Sequence, residues 1–224
     1  MARSHSAILM LMLGLLIYIP SKWLEQNSEP MRLSLALNPP SSIWLERAIV
    51  GPCVGIGSEY ALLRVFTLFD EILHPLPVSQ PDLLYRYLME EIQHAQQFDP
   101  WFFDIYRLTT GIAGFTPGLQ RQAVEVLQKA GKYRTWDYEP LFIAGFIAHD
   151  QLHDDELAFE LMQEAARRPG APPMLLGLAA RFLDRVKGRE ASIAFLQQML
   201  ETMPKDYQKP ILERIERLKS EEER

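Results

Sequence analysis

From Ile43 to the C-terminus, apolar residues recur at intervals of three and four, the spacing that gives an α-helix one face for a core. Proline and glycine break the pattern at His74-Pro-Leu-Pro, Asp99-Pro100, Phe115-Thr-Pro-Gly, Glu139-Pro140, Arg168-Pro-Gly-Ala-Pro-Pro, Met203-Pro204 and Lys209-Pro210. Proline just past an apolar face stops a helix, and proline in a first turn starts one. The region therefore reads as helix after helix, an all-α body with no competing strand series. Ser41 or Ser42 is placed to cap a helix beginning at Ile43, with Glu46 positioned for a capping box.

Upstream the pattern changes. Residues Ala7 to Ile19 are nearly all apolar, with Arg3 before them and Pro20, Lys22 and Trp23 after. A cleavable signal peptide needs a small-residue site behind its apolar run, and the bulky Tyr18-Ile-Pro-Ser-Lys-Trp supplies none. Counted through Leu24 the run reaches a marginal spanning length, with Tyr18 and Trp23 where an aromatic belt would sit. The expectation is a single transmembrane or signal-anchor helix in residues 1–24, N-terminus inside. A proline-containing stalk, residues 25–42, follows, in which Met31-Arg-Leu-Ser-Leu-Ala-Leu alternates with period two. That topology places the body outside the inner membrane of a bacterium, in the periplasm.

The breaks in the body are themselves spaced. Pro100, Pro140, Pro172 and Pro204 recur at intervals of 40, 32 and 32, a range that signals a repeat architecture. Each period holds a glycine in its first helical stretch and a small-x3-large pattern in its second. The first full unit has Gly111, then Ala123, Leu127 and Ala130; the next has Gly145, then Ala158, Met162 and Ala165. The third has Gly177, then Ala191 and Phe195, with Gln198 in the last place, and a partial preceding unit shows Leu88, Ile92, Ala95 and Pro100. On these marks the stretch from Asp82 to Pro204 resembles the tetratricopeptide repeat family, whose unit of about 34 residues is a helix-turn-helix ending in proline. The family's Trp and Tyr positions are poorly kept here, and two units are longer by one and two residues. The resemblance implies a helical-hairpin repeat solenoid over residues 82–204, an N-terminal helical segment at 43–81 and a charged capping helix at 205–224, from Pro210 onward. It also implies a concave groove lined by first helices, which by position includes Leu108, Ile112, Phe142, Phe146, His149, Met174, Leu178 and Arg181.

Composition narrows the function. The 224 residues are 48% hydrophobic and 23% charged with a net charge of -6, and the Lys and Arg residues are scattered among acids, so no basic stripe offers a nucleic-acid surface. The single cysteine, Cys53, cannot form an internal disulfide, and its apolar surroundings without a neighbouring base predict a buried structural thiol. Gly51, Gly55 and Gly57 lack the lysine of a phosphate loop and read as a helix break or close helix packing. Ser58 and Ser192 lie in no nucleophile-elbow context. His149 and His153 would share a face on a helix and form a weak metal site with Asp150 and Asp154, but the segment reads as a polar turn and a third ligand is missing. His94 and Glu90, four apart, read as a surface pair. Trp101-Phe-Phe-Asp-Ile-Tyr reads as core aromatics. The function expected is thus a membrane-anchored protein–protein interaction scaffold or assembly factor, not an enzyme. It needs no cofactor, nucleic acid or small-molecule substrate, and its protein partners would be components of a membrane complex. The alternatives are a structural subunit of a secretion, pilus or respiratory machine and, last, a metal-dependent enzyme.

Overall fold

The computed structural model describes residue 14 and residues 18–20, 42–75 and 80–220. The stalk, apart from Ser42, lies outside the described residues, as does the apolar run apart from Gly14, Tyr18 and Ile19. Among the described residues there is no strand, and no helix is long and apolar enough to cross a membrane. The elements are α1 (Ile43–Val50), α2 (Val54–Leu73), α3 (Pro81–Phe98), α4 (Phe103–Leu108), a π-helical segment (Thr109–Ala113), α5 (Gln120–Tyr133), α6 (Glu139–Asp150), α7 (Asp155–Ala166), α8 (Met174–Lys187), α9 (Arg189–Thr202) and α10 (Lys205–Ser220).

The proline logic holds at the starts of α3 and α6, where Pro81 and Pro140 occupy the first turn. The span from Ile43 to Leu73 is two helices, separated at Gly51, whose φ of 58° suits a residue without a Cβ. α1 begins at the expected residue but by another device. Ser42 makes no side-chain cap bond, and Glu46 reaches His94 instead, at 2.6 Å. α10 begins at Lys205, ahead of Pro210, which sits inside it; Ile211, Ile215 and Leu218 are buried, so this charged helix packs one face on the body.

The π segment has a local cause. The hydroxyl of Thr109 donates to the carbonyl of Ile105 at 2.7 Å and that of Thr110 to Tyr106 at 3.0 Å. Threonine side chains compete in this way for the carbonyls of the preceding turn and loosen the helix. The Gly114 amide then bonds five residues back, to Thr109, closing a wider turn.

Consecutive helices pack on each other: α2 on α3, α5 on α6, α6 on α7, α7 on α8, α8 on α9 and α9 on α10, with lighter contacts of α1 on α3 and α8 on α10. α5, α7 and α9 each hold a small residue in complete burial: Ala123, Ala158 and Ser192. In α9 this register differs by one from the sequence reading. Ser192, Leu196 and Met199 face inward, Phe195 shares that face, Ala191 is half-buried and Gln198 is exposed. Ser192 replaces alanine because its hydroxyl finds a partner, the carbonyl of Ala180 in α8, at 2.8 Å. Gly145 does permit close approach, since a Cβ there would stand 3.1 Å from the Met162 side chain; Gly111 and Gly177 have open space around them and carry no such demand.

Side-chain bonds to backbone carbonyls also tie later helices to earlier turns. Arg134, just past α5, donates to the carbonyl of Trp101 at 2.8 Å, and Arg168, just past α7, donates to that of Thr135 at 2.9 Å. In both cases donor and acceptor are 33 residues apart. Further along the chain, the Tyr207 hydroxyl donates to the carbonyl of Ala171.

Candidate binding surfaces

The eight groove residues named from the sequence divide by exposure. Ile112 is only 7% exposed and belongs to the core, because the π turn rotates that stretch inward; Leu108 and Phe142 are half-buried against the core. Phe146 is 43% exposed, with its ring centroid 6.5 Å from that of Phe115. Met174 is 61% exposed and, with Leu178 and Arg181, lines one cavity of about 350 Å³. The far wall of that cavity is α10, through Ile211, Glu213, Arg214 and Arg217, so the C-terminal helix is part of a surface rather than only an end cap.

His149 stands apart from that cavity. Its Nδ1 lies 2.5 Å from Asp155, Arg185 lies 3.4 Å from both Asp155 and the His149 ring, and the ring leans on Phe182 at 4.6 Å between centroids. The cluster pins α6, α7 and α8 together. His153 takes no part in it, because α6 ends at Asp150 and His153 is an exposed turn residue with a φ of 54°. The two histidines therefore do not share a helical face, and among the described residues no group of three or more His, Cys, Asp or Glu could hold a metal ion.

A second concavity, of about 720 Å³, lies between α1 and the end of α3 and is bordered by Trp44, Arg47, Phe98, Trp101 and Tyr133. Trp101 is 54% exposed and meets Tyr133 edge-on at 5.6 Å. Of the aromatic cluster expected in the core, only Tyr106 is fully there; it donates to the carbonyl of Pro100 at 2.6 Å, and burial raises its hydroxyl pKa. Cys53 is exposed, not buried, because it sits at the turn into α2 where no later helix reaches it.

Behind this concavity the α1–α3 junction holds charge. His94 is 8% exposed and pairs with Glu46, not Glu90, which lies 3.8 Å from Arg86. Glu91 is 1% exposed and meets Arg64 of α2 at 2.5 Å. Loss of hydration on burial outweighs the pull of Arg64 and His94 and pushes the Glu91 carboxyl up to about 7. Arg47 closes α3 by donating to the carbonyls of Gln97 and Phe98 at 2.8 and 3.0 Å. These groups link helices up to 51 residues apart, and no local spacing announces them.

The outer face of α1 and α2 is apolar. Trp44, Leu45, Ile49, Ile56, Tyr60 and Leu63 are between 51% and 77% exposed, and no residue of α1 is buried.

No protein-family model matches the chain, and neither a curated protein nor a solved structure matches it.

Proposed function

We propose that the chain is a membrane-anchored scaffold, or assembly factor, of the bacterial envelope. Its helices form a stack of tetratricopeptide-like repeats on an N-terminal anchor, with the body in the periplasm. The observation that carries the stack is the pair of inter-unit bonds from Arg134 and Arg168, each to a carbonyl 33 residues earlier. A bond that recurs at one period is what a repeated unit requires, because each unit buries its open face on its neighbour. The partner surface is the side of α6 and α8 that carries Phe142, Phe146, His149, Met174, Leu178 and Arg181. Phe146 and Met174 support it: large apolar side chains left in solvent on well-packed helices serve a partner rather than the core.

The α1–α2 face favours a second reading. Six large apolar side chains, all more than half exposed, share this face, and a contiguous exposed apolar patch marks an interaction surface. A structural subunit of a larger membrane machine would cover that face permanently with a neighbour.

The test is crosslinking of the full-length protein in its native membrane, with mass spectrometry of what is captured, beside a variant carrying Phe142→Asp and Phe146→Asp. A small reproducible partner set that disappears in the variant is the expected result. A partner set that survives the variant unchanged contradicts the α6–α8 assignment.

A further inference from the structure

The cavity between α8 and α10 contains three guanidinium groups that the fold leaves unpaired. Arg181 projects from α8, and Arg214 and Arg217 from α10, into one concavity. Among the described residues none of the three side chains has an ion pair or hydrogen bond, and the Nε of Arg214 is shielded from solvent with no partner at all. Several other arginines are matched, Arg64 to Glu91, Arg47, Arg134 and Arg168 to backbone carbonyls, and Arg185 to Asp155; Arg189 also has a shielded, unpartnered Nε, but it stands alone, whereas Arg181, Arg214 and Arg217 share one cavity. A guanidinium offers five donors in a fixed fork, and leaving a shielded one unmatched is unfavourable. The one acid in the lining, Glu213, lies 4.0 Å from Lys209. The protein as a whole is acidic, so this is a local reversal of sign. Between the arginines the floor is apolar, formed by Leu178, Leu196 and Ile211.

We propose that this cavity receives an acidic segment of a partner protein that also carries apolar side chains. Its carboxylates engage Arg181, Arg214 and Arg217, and an apolar side chain rests on the floor. Planar carboxylates match the guanidinium fork in a way that a point charge does not. At about 350 Å³ the cavity admits a few side chains and not a folded domain. The inference rests on the protein-binding reading above and specifies its ligand.

The test uses the full chain in phosphatidylcholine nanodiscs and fluorescence anisotropy with two labelled hexapeptide mixtures. One is drawn from Asp, Glu, Leu and Phe, the other from Asn, Gln, Leu and Phe. The expected result is about tenfold tighter binding of the acidic mixture, weakening as salt rises from about 50 to about 300 mM. In the R181Q/R214Q/R217Q variant the preference disappears while the circular dichroism spectrum stays unchanged. Should the triple variant unfold, R217Q alone, at an exposed position, lowers acidic-mixture affinity about threefold. Equal affinity for the two mixtures, no binding of either, or an acid preference that survives the arginine substitutions each overturns the proposal. Arginine-dependent binding of glycerol phosphate or inorganic phosphate, without preference for the acidic peptides, also overturns it and assigns the cavity to a headgroup or free phosphate. Arg181 belongs to both surfaces, but the crosslinking variant alters only Phe142 and Phe146, which lie outside this cavity, so the broader reading and this one fail separately.

Discussion

The two ends of the body distribute polarity in opposite ways. From α5 to α9 the interior is apolar, with the fully buried small residues Ala123, Ala158 and Ser192, and no charged residue is fully buried there. From α1 to α3 the interior holds Glu91 and His94, paired with Arg64 and Glu46, while Trp44, Ile49, Ile56 and Leu63 face water. The first arrangement keeps its interior free of buried charge, and leaves Phe146 and Met174 in solvent on α6 and α8. The second places charge where burial is unfavourable and apolar area where solvent is unfavourable. The difference also separates two kinds of polar tie: the His149–Asp155–Arg185 cluster of the later helices is part-exposed, whereas the Arg64–Glu91 and Glu46–His94 pairs of the first three are more deeply buried.

The largest effect that would sharpen this contrast comes from Arg64. Arg64→Met leaves the carboxylate of Glu91 buried without its cation and is expected to lower stability by about 3–5 kcal/mol at pH 8, measured by urea unfolding. At pH 5, where Glu91 holds its own proton, the loss is expected to be much smaller. An equal loss at both pH values would show that Arg64 contributes packing alone.

The pH dependence of the unaltered protein comes next. The carboxyl of Glu91 titrates near 7 in the folded chain and near 4.5 when unfolded, so between those values the folded state holds a proton that the unfolded state releases. The contribution of this group to stability is therefore complete below about pH 4.5 and is lost as pH rises through 7. The full span is on the order of 3 kcal/mol. Glu91→Gln is expected to flatten that part of the profile, and an unchanged slope would remove Glu91 as its source.

A pair of glycine substitutions gives the smallest effects and tests packing at each end. A Cβ on Gly57 would lie 2.3 Å from the ring of Phe98, whereas Gly177 has open space around it. Gly57→Ala is expected to cost about 1–3 kcal/mol, and Gly177→Ala to stabilise α8 by about 0.5–1 kcal/mol. Thermal unfolding of both variants provides the check; stabilisation by Gly57→Ala would mean that the α2–α3 contact is looser than the geometry indicates.

Much of the helical plan was legible in the pattern of apolar residues, and proline marked the starts of α3 and α6 because its chemistry acts locally. What was not legible depends on distance or on chemical equivalence. His94 has Glu90 one turn away, and only the fold brings Glu46 closer. Ser192 has no core signature of its own, because a serine reads as polar until the carbonyl of Ala180 is seen beside it. Arg134 and Arg168 bond backbone carbonyls, which have no residue signature, so their common period could not be read from side-chain types. Cys53 lies in an apolar stretch and yet is exposed, since apolar sequence shows what a residue resembles and not what covers it. Leu108 and Ile112 were assigned to a groove by the position the repeat resemblance gives them, and a resemblance of that kind carries no sign of a π segment, in which Ile112 is buried.

The most direct measurement of the central claim is hydrogen exchange on the full-length chain, alone and in complex with the partner that crosslinking captures. The account predicts slowed exchange in peptides covering residues 142–149 and 174–181 on complex formation, with little change at 44–66. Protection confined to 44–66 would contradict it and assign the partner to the apolar face of α1 and α2.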